Sequence, residues 1–99
     1  MVKTPVVIKE DYIIYFEYVQ GIIFAHCDFF NWNKTSRNNF LHDWNTIKSI
    51  HGQPIMAMRQ HTQGNKFLKF LKLSGFRYYE SVIDLEGNQV DFYITNEDK

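Results

Sequence analysis

The stretch "NKFLKFLKLSGF", residues 65–76, decides how the second half of this chain is interpreted. Its apolar residues recur at the spacing of an amphipathic helix, and Gly75 stands where a helix commonly ends. We therefore predict a helix over residues 65–74, followed by an aromatic strand. The phenylalanines and leucines occupy most of its surface, and three lysines form a narrow stripe: Lys66, Lys69 and Lys72.

Strand-like segments and one further helix surround this stretch. "PVVIKE", "DYIIYFEYV" and "GIIFAHCDFF" are rich in β-branched and aromatic residues, with a turn at Gln20-Gly21, and predict two or three adjacent strands. A helix follows "NWNKTSR", with Thr35 or Ser36 as its expected N-cap and Gly52 just after its end. "PIMAMR" predicts a short strand, and "FRYYESVIDL", "EGN" and "QVDFYIT" predict a closing hairpin.

The element order β-β-(β)-α-β-α-β-β predicts an α/β fold of the α+β kind. Each helix between strands implies a right-handed crossover and a locally parallel pair, whereas the hairpins add antiparallel strands. We expect a mixed, mostly antiparallel sheet with two main helices. Both faces of the strand "GIIFAHCDFF" are apolar, which predicts cover on both sides. Without a repeat or linker, residues 1–99 are expected to form one domain.

The composition argues against several classes of protein. Eleven basic and eleven acidic residues give zero formal charge, so no overall field attracts nucleic acid or an anionic membrane. No run reaches the roughly 18–20 apolar residues of a membrane span, and no signal-peptide pattern is present. We expect a cytoplasmic protein. Near-neutral proteins also associate readily, which makes a homodimer a further expectation.

His26 and Asp28 are the candidate catalytic pair. They share one strand face at i, i+2, where a carboxylate can orient an imidazole for general-base work, although a structural polar pair has the same spacing. Cys27, the only cysteine, points to the opposite face and is expected to be an inert core thiol. The four histidines show no ligand spacing, so no metal site is predicted.

Two basic regions are candidate anion sites. The first turn of the first helix offers free N–H groups beside a run of polar and basic residues, and this is the candidate cofactor-binding segment: Lys34, Thr35, Ser36 and Arg37. An ordinary capped helix start is the alternative. The lysine stripe with Arg77, and with Lys34, Arg37 and Arg59 nearby, suits single-stranded nucleic acid or a phosphate-bearing cofactor, with a solvated helix face as the alternative.

The element order and two motifs resemble a known family. Asn65 followed ten residues later by Gly75-Phe76, and "WNKT" before the preceding helix, resemble the C-terminal two-thirds of the GCN5-related N-acetyltransferase (GNAT) fold over residues 11–94. The form is most similar to small, degenerate GNAT-like proteins encoded by bacteriophages. The resemblance implies a gap between strands ending near Phe30 and Arg59, where the family holds pantetheine. It places Asn65 at the lip of this gap, as a further candidate catalytic residue beside His26 and Asp28.

Three departures from the family pattern bear on activity. "NWNKTSRNNF" has no glycine where the family's pyrophosphate loop requires it. The family's general-acid tyrosine falls at Leu71, which cannot donate a proton. The N-terminal strand and two helices that form the family's acceptor wall are expected to be largely absent.

Three functions follow as hypotheses. The first is a catalytically degenerate, GNAT-like phage accessory factor that binds a host or defence protein in the host cytoplasm, or a virion component, without a cofactor. The second is an acetyl-CoA-dependent N-acetyltransferase in which Lys34, Ser36 and Arg37 hold phosphates and His26 with Asp28 assists the acceptor amine. The third is a nucleic-acid-binding module that uses the lysine stripe. Whether the chain is an enzyme stays open, with the departures favouring a non-catalytic role.

Overall fold

The computed structural model describes residues 2–60 and 64–96, without the side chain of Gln60. The described chain forms two helices and six strands, in the predicted order. Their bounds are β1 Lys3–Ile8, β2 Tyr12–Val19, β3 Ile22–Phe29, α1 Lys34–His51, β4 Ile55–Gln60, α2 Asn65–Leu73, β5 Arg77–Ile83 and β6 Gln89–Thr95.

The six strands form one sheet in the order β1-β2-β3-β4-β6-β5. Four neighbouring pairs are antiparallel, and β3 with β4 is parallel because α1 carries the chain back across the sheet between them. The hairpin between β2 and β3 turns at Gln20 and Gly21, whose φ angles are 52° and 83°. The predicted mixed, mostly antiparallel sheet with two helices is confirmed.

The parallel junction between β3 and β4 is short. Only Ile23 with Ile55 and Phe24 with Met56 are paired. Beyond these two pairs β3 runs on to Phe29 and β4 to Gln60 without pairing to each other. The two strands therefore separate along most of their length, and this opening positions the site described below.

Both helices pack on the same face of the sheet. Phe40 and Trp44 of α1 and Leu71 of α2 lie in one buried cluster with Ile14 and Ile55 of the strands. The Trp44 indole N–H donates to the Ser74 carbonyl oxygen at 2.8 Å, which ties α1 to the end of α2. Burial of large side chains such as these supplies most of the stabilisation of a small sheet–helix domain.

The opposite face of the sheet has a smaller cluster made only of strand residues. Phe24, Met56 and Ile94 are buried there, with Val19 and Phe92 packed against them. The cover expected on both sides of β3 is therefore found on one side alone among the described residues, because both described helices lie there and, on the opposite face, Phe24 is buried only by neighbouring strand side chains. We call this surface the helix-free face.

Helix α1 begins earlier than predicted. Its N-cap is Asn33, whose side-chain oxygen accepts from the Ser36 backbone N–H at 2.9 Å. The Ser36 hydroxyl accepts in return from the Asn33 N–H at 2.7 Å, completing a capping box. The prediction of Thr35 or Ser36 as N-cap was therefore wrong, because asparagine caps a helix as well as serine. The predicted end at Gly52 is confirmed, with φ of 71°.

Candidate functional site

A cleft of about 1010 Å³ opens where β3 and β4 separate. We call it the splayed cleft. Its walls come from β3 and β4 and from the facing sides of α1 and α2. Its described lining includes three groups of residues: aromatic (Phe29, Trp32, Phe67, Phe70), cationic (Lys3, Arg37, Lys66, Lys69), and strand residues (Ala25, His26, Cys27, Asp28, Met58).

The aromatic wall is an ordered cluster. The Phe29 ring centroid lies 4.7 Å from that of Trp32 and 5.4 Å from that of Phe70, both edge-on. Trp32 remains 47% exposed, and Phe29, Phe67 and Phe70 are half-buried. Edge-on aromatic contacts hold these rings in fixed positions while leaving apolar surface available to a ligand.

Most charges around the splayed cleft are positive. Four exposed cations line it, and Asp28 is the carboxylate among the described lining residues. The lysine stripe of α2 is divided, since Lys66 and Lys69 line the cleft and Lys72 does not. Arg59 is not among the residues that line the cleft, and its guanidinium donates to the Asp91 carboxylate at 3.3 Å.

The structure gives His26 and Asp28 different partners. His26 Nε2 lies 2.7 Å from Glu17 Oε1, and the imidazole is 26% exposed. The Tyr15 hydroxyl donates to the Asp28 carboxylate at 3.0 Å, which raises the pKa of Tyr15. The carboxylate that orients His26 is therefore Glu17 on β2, and not Asp28 as the sequence suggested.

Cys27 lies in the cleft wall but is not poised as a nucleophile. Burial, with a smaller contribution from the Asp28 charge, raises the pKa of its thiol to about 12. The side chain is half-buried and packs against the main core cluster. At neutral pH the sulfur is thus a protonated thiol, which is the inert form.

The first turn of α1 brings one of its four predicted cofactor residues to the cleft. Ser36 is fully buried, and its hydroxyl both accepts from the Asn33 N–H and donates to the Asn33 carbonyl oxygen at 3.0 Å. Lys34 and Thr35 are exposed and lie outside the cleft lining, whereas Arg37 is exposed and lines it. Of the proposed phosphate ligands, only Arg37 is placed beside the cleft.

The start of α2 lies beside the splayed cleft. Asn65 is exposed as the first helical residue, and the next two residues, Lys66 and Phe67, line the cleft. Leu71, where the resemblance would expect a tyrosine, is 2% exposed within the core. Phe30 points away as an exposed residue, and Met58 lines the cleft without closing it.

No sequence motif indicated three further residues of the site: Glu17, Trp32 and Phe70. The turn at Gln20-Gly21 sets the register of β2 against β3, and that register places Glu17 diagonally across from His26. The turn was visible in the sequence, so this pair could have been found from it. The contact between Trp32 and Phe70, with ring centroids 5.9 Å apart, joins a loop to a distant helix and leaves no local signal.

A second, smaller cavity of about 670 Å³ lies on the sheet surface. Phe24, Met56 and Ile94 of the helix-free face line it, together with Tyr79 and Glu80. It is an apolar depression with an acidic residue at its edge.

No family model, curated protein or solved structure matches this chain. Within residues 2–60 and 64–96, no three His, Cys, Asp or Glu side chains are grouped to hold a metal ion. Neither described helix is long and apolar enough to span a membrane.

Proposed function

We propose that this chain is a small GNAT-like protein that binds another protein and does not catalyse acetyl transfer. One observation carries the proposal. The splayed cleft is open and aromatic-walled, but the pKa of Cys27 is raised to about 12, and Leu71 stands in its core wall where the resemblance expects a general-acid tyrosine. A cavity with apolar walls and neither an activated thiol nor a tyrosine among its described lining residues suits binding better than acetyl transfer.

Support for the GNAT-like assignment comes from the parallel junction. The resemblance implies a gap between strands ending near Phe30 and Arg59, and β3 and β4 do separate after Phe24 and Met56. The phage-encoded proteins that the sequence resembles suggest a host or defence protein in the host cytoplasm as partner. A virion component is the alternative within the same class.

Support for a protein partner comes from apolar surface near the cleft and along the sheet edge. All seven residues of β5 are exposed, among them Tyr78, Tyr79 and Ile83. The cleft lining adds Met58, which is also exposed. Tyrosine and methionine are enriched in protein interfaces.

Site-specific photo-crosslinking tests this proposal. A benzoylphenylalanine at Trp32, in the cleft wall, is expected to give one discrete protein adduct in a host-cell lysate. The same group at Asn45, exposed on α1 and outside the cleft, is the control and should give none. Equal adducts from both positions, or none from Trp32, would contradict a protein-binding cleft.

An acetyl-CoA-dependent N-acetyltransferase is the second candidate. The observation that favours it is the position of Arg37, Lys66 and Lys69 around one cleft, where they would bind phosphates. His26, oriented by Glu17, would then accept a proton from the acceptor amine. Bound acetyl-CoA would supply the acetyl group.

Calorimetric titration separates the two candidates. We expect no heat from acetyl-CoA at millimolar concentration, because Ser36 is buried and the glycine-rich phosphate loop is missing from the sequence. Saturable binding together with acetylated product would establish the enzyme instead. The same titration with a single-stranded oligonucleotide tests the nucleic-acid module, which requires binding that Lys69→Glu abolishes.

A further inference from the structure

We propose that the splayed cleft receives an extended, acidic segment of the partner protein, which adds to β3 as a β-strand. This inference rests on the proposed function and names the chemistry of the partner. Three observations carry it: the direction of the backbone groups of β3, the charge around the cleft, and the aromatic wall.

The hairpin geometry fixes which backbone groups of β3 face the cleft. A two-residue turn at Gln20-Gly21 makes Val19 and Ile22 a hydrogen-bonded pair. Such pairs alternate along an antiparallel ladder, so the even-numbered residues of β3 direct their N–H and C=O groups to β2. The odd-numbered residues direct theirs to the other edge, and after Ile23 these are Ala25, Cys27 and Phe29.

That edge of β3 has no described strand partner beyond Phe24. The last paired residue of β4 is Met56, after which the two strands diverge. Backbone N–H and C=O groups need partners when they are shielded from bulk water. An extended polypeptide presents matching groups at the same spacing, and the five residues from 25 to 29 span about 17 Å.

The charge around the cleft selects an acidic segment. Lys66 and Lys69 on one side and Arg37 on the other flank the opening, and all three are exposed. The one carboxylate among the described lining residues, Asp28, already accepts a hydrogen bond from Tyr15. Glutamate or aspartate in the bound segment would pair with the cations, and the binding would weaken as salt screens them.

The aromatic wall selects apolar residues between the acidic ones. Phe29, Trp32 and Phe70 lie together on the helix side of the cleft. Side chains of a bound strand alternate between two sides, so every second residue would face these rings. Because the three cations belong to α1 and α2, they lie on this same side, so the favoured segment carries glutamate as well as valine, leucine or phenylalanine at its helix-facing positions.

The first test compares two synthetic peptides by calorimetry and tryptophan fluorescence. One is a seven-residue peptide with glutamate and apolar residues at its alternate, helix-facing positions, and the other carries lysine at every glutamate position. We expect the acidic peptide to bind at least tenfold more tightly at low salt. Equal affinities, or tighter binding of the lysine peptide, would overturn the proposal.

The second test separates strand addition from a merely electrostatic contact. Amide hydrogen exchange should slow on peptide binding at Ala25, Cys27 and Phe29. Phe24 and His26, whose groups already pair with β2, are the matched controls in the same strand and should not change. N-methylation of the alternate peptide residues whose N–H groups face β3 should abolish binding. Unchanged exchange at the three odd-numbered positions, or full binding of the methylated peptide, would rule out strand addition.

The third test uses the divided lysine stripe. Lys66→Glu combined with Lys69→Glu should weaken the acidic peptide at least tenfold, whereas Lys72→Glu on the same helix should change its affinity less than twofold. If Lys72→Glu weakened the acidic peptide as much as the double substitution, the cations of the cleft would not be what selects an acidic segment. If acidic peptides fail to bind while the crosslinker at Trp32 still captures a partner, this inference fails and the proposed function stands.

Discussion

At the residue scale, burial decides which polar groups of the cleft can react. Cys27 and His26 are neighbours in β3, but one is a protonated thiol against the core and the other is an imidazole held by Glu17. The thiol is therefore not an activated nucleophile, whereas the imidazole has the carboxylate partner of a general base. The chemistry of this wall is therefore set by its surroundings and not by its residue types.

The raised pKa of Cys27 predicts slow alkylation. With a thiol pKa of about 12 against an ordinary value of 9.0, thiolate at pH 8 falls on the order of a thousandfold. Iodoacetamide should label the folded protein at least that much more slowly than the protein in guanidinium chloride, measured by mass spectrometry. Similar rates in both states would contradict a buried, protonated thiol.

The same shift makes stability depend on alkaline pH. The folded thiol keeps its proton in the interval where the unfolded thiol loses it, so the folded state binds more protons there. The free energy of unfolding should therefore fall as pH rises from about 9 to about 12. Urea titrations across this range check the sign, and Cys27→Ala should have a flatter profile.

The two tryptophans should respond differently to substitution. Trp44 is buried and donates to the Ser74 carbonyl oxygen, so Trp44→Phe should lower the free energy of unfolding by about 2–4 kcal/mol. Trp32 is half exposed, and Trp32→Phe should change the free energy of unfolding by less than about 1 kcal/mol. Urea titrations compare them, and equal losses would contradict the assigned burial.

At the element scale, helix α1 shows which parts of the fold the sequence could predict. Periodicity and the glycine at its end located the helix, since both are local signals that survive in the folded chain. Its first residue was misplaced because "NKTS" offers three capping residues in four positions. Only the φ of −137° at Asn33 and the reciprocal bonds to Ser36 distinguish them.

Two substitutions test which residue caps α1. Asn33→Ala should lower the free energy of unfolding by about 1 kcal/mol, because it leaves the Ser36 backbone N–H without its acceptor. Thr35→Ala, at the exposed residue first expected as the cap, should have a much smaller effect. Thermal unfolding measures both. A larger loss of stability for Thr35→Ala than for Asn33→Ala would indicate that Thr35 caps the helix instead.

At the scale of the whole molecule, the sequence predicted the strands and their pairing type but not the layers. Apolar residues on both faces of β3 have two explanations. A helix layer can cover the second face, or neighbouring strand residues such as Met56 and Ile94 can pack beside it, and the sequence pattern is the same in both cases. The cleft was expected only through the family resemblance. Its aromatic wall joins Phe29, Trp32 and Phe70 from three segments, so no local pattern could reveal it.

The exposed β5 edge predicts self-association at high concentration. An unprotected edge strand with exposed apolar side chains can pair with a second copy, and Ile83 is 66% exposed. Ile83→Lys should lower the apparent mass measured by sedimentation at high concentration. Ile50→Lys, at a residue 77% exposed on α1, is the control and should not. Monomeric behaviour of the unsubstituted chain, or equal effects of both changes, would argue against pairing through β5.

The two-pair junction between β3 and β4 also has a consequence for the order of folding. Two consecutive hairpins join strands β1, β2 and β3, so their contacts close short loops and can form early. Strands β5 and β6 also form a local hairpin, whereas strand β4 pairs with β6 about thirty residues later. The β4 pairings therefore carry the larger loop-closure entropy. We expect the hairpin strands to be protected first in a pulse-labelling experiment and the parallel bridge to be among the last contacts formed.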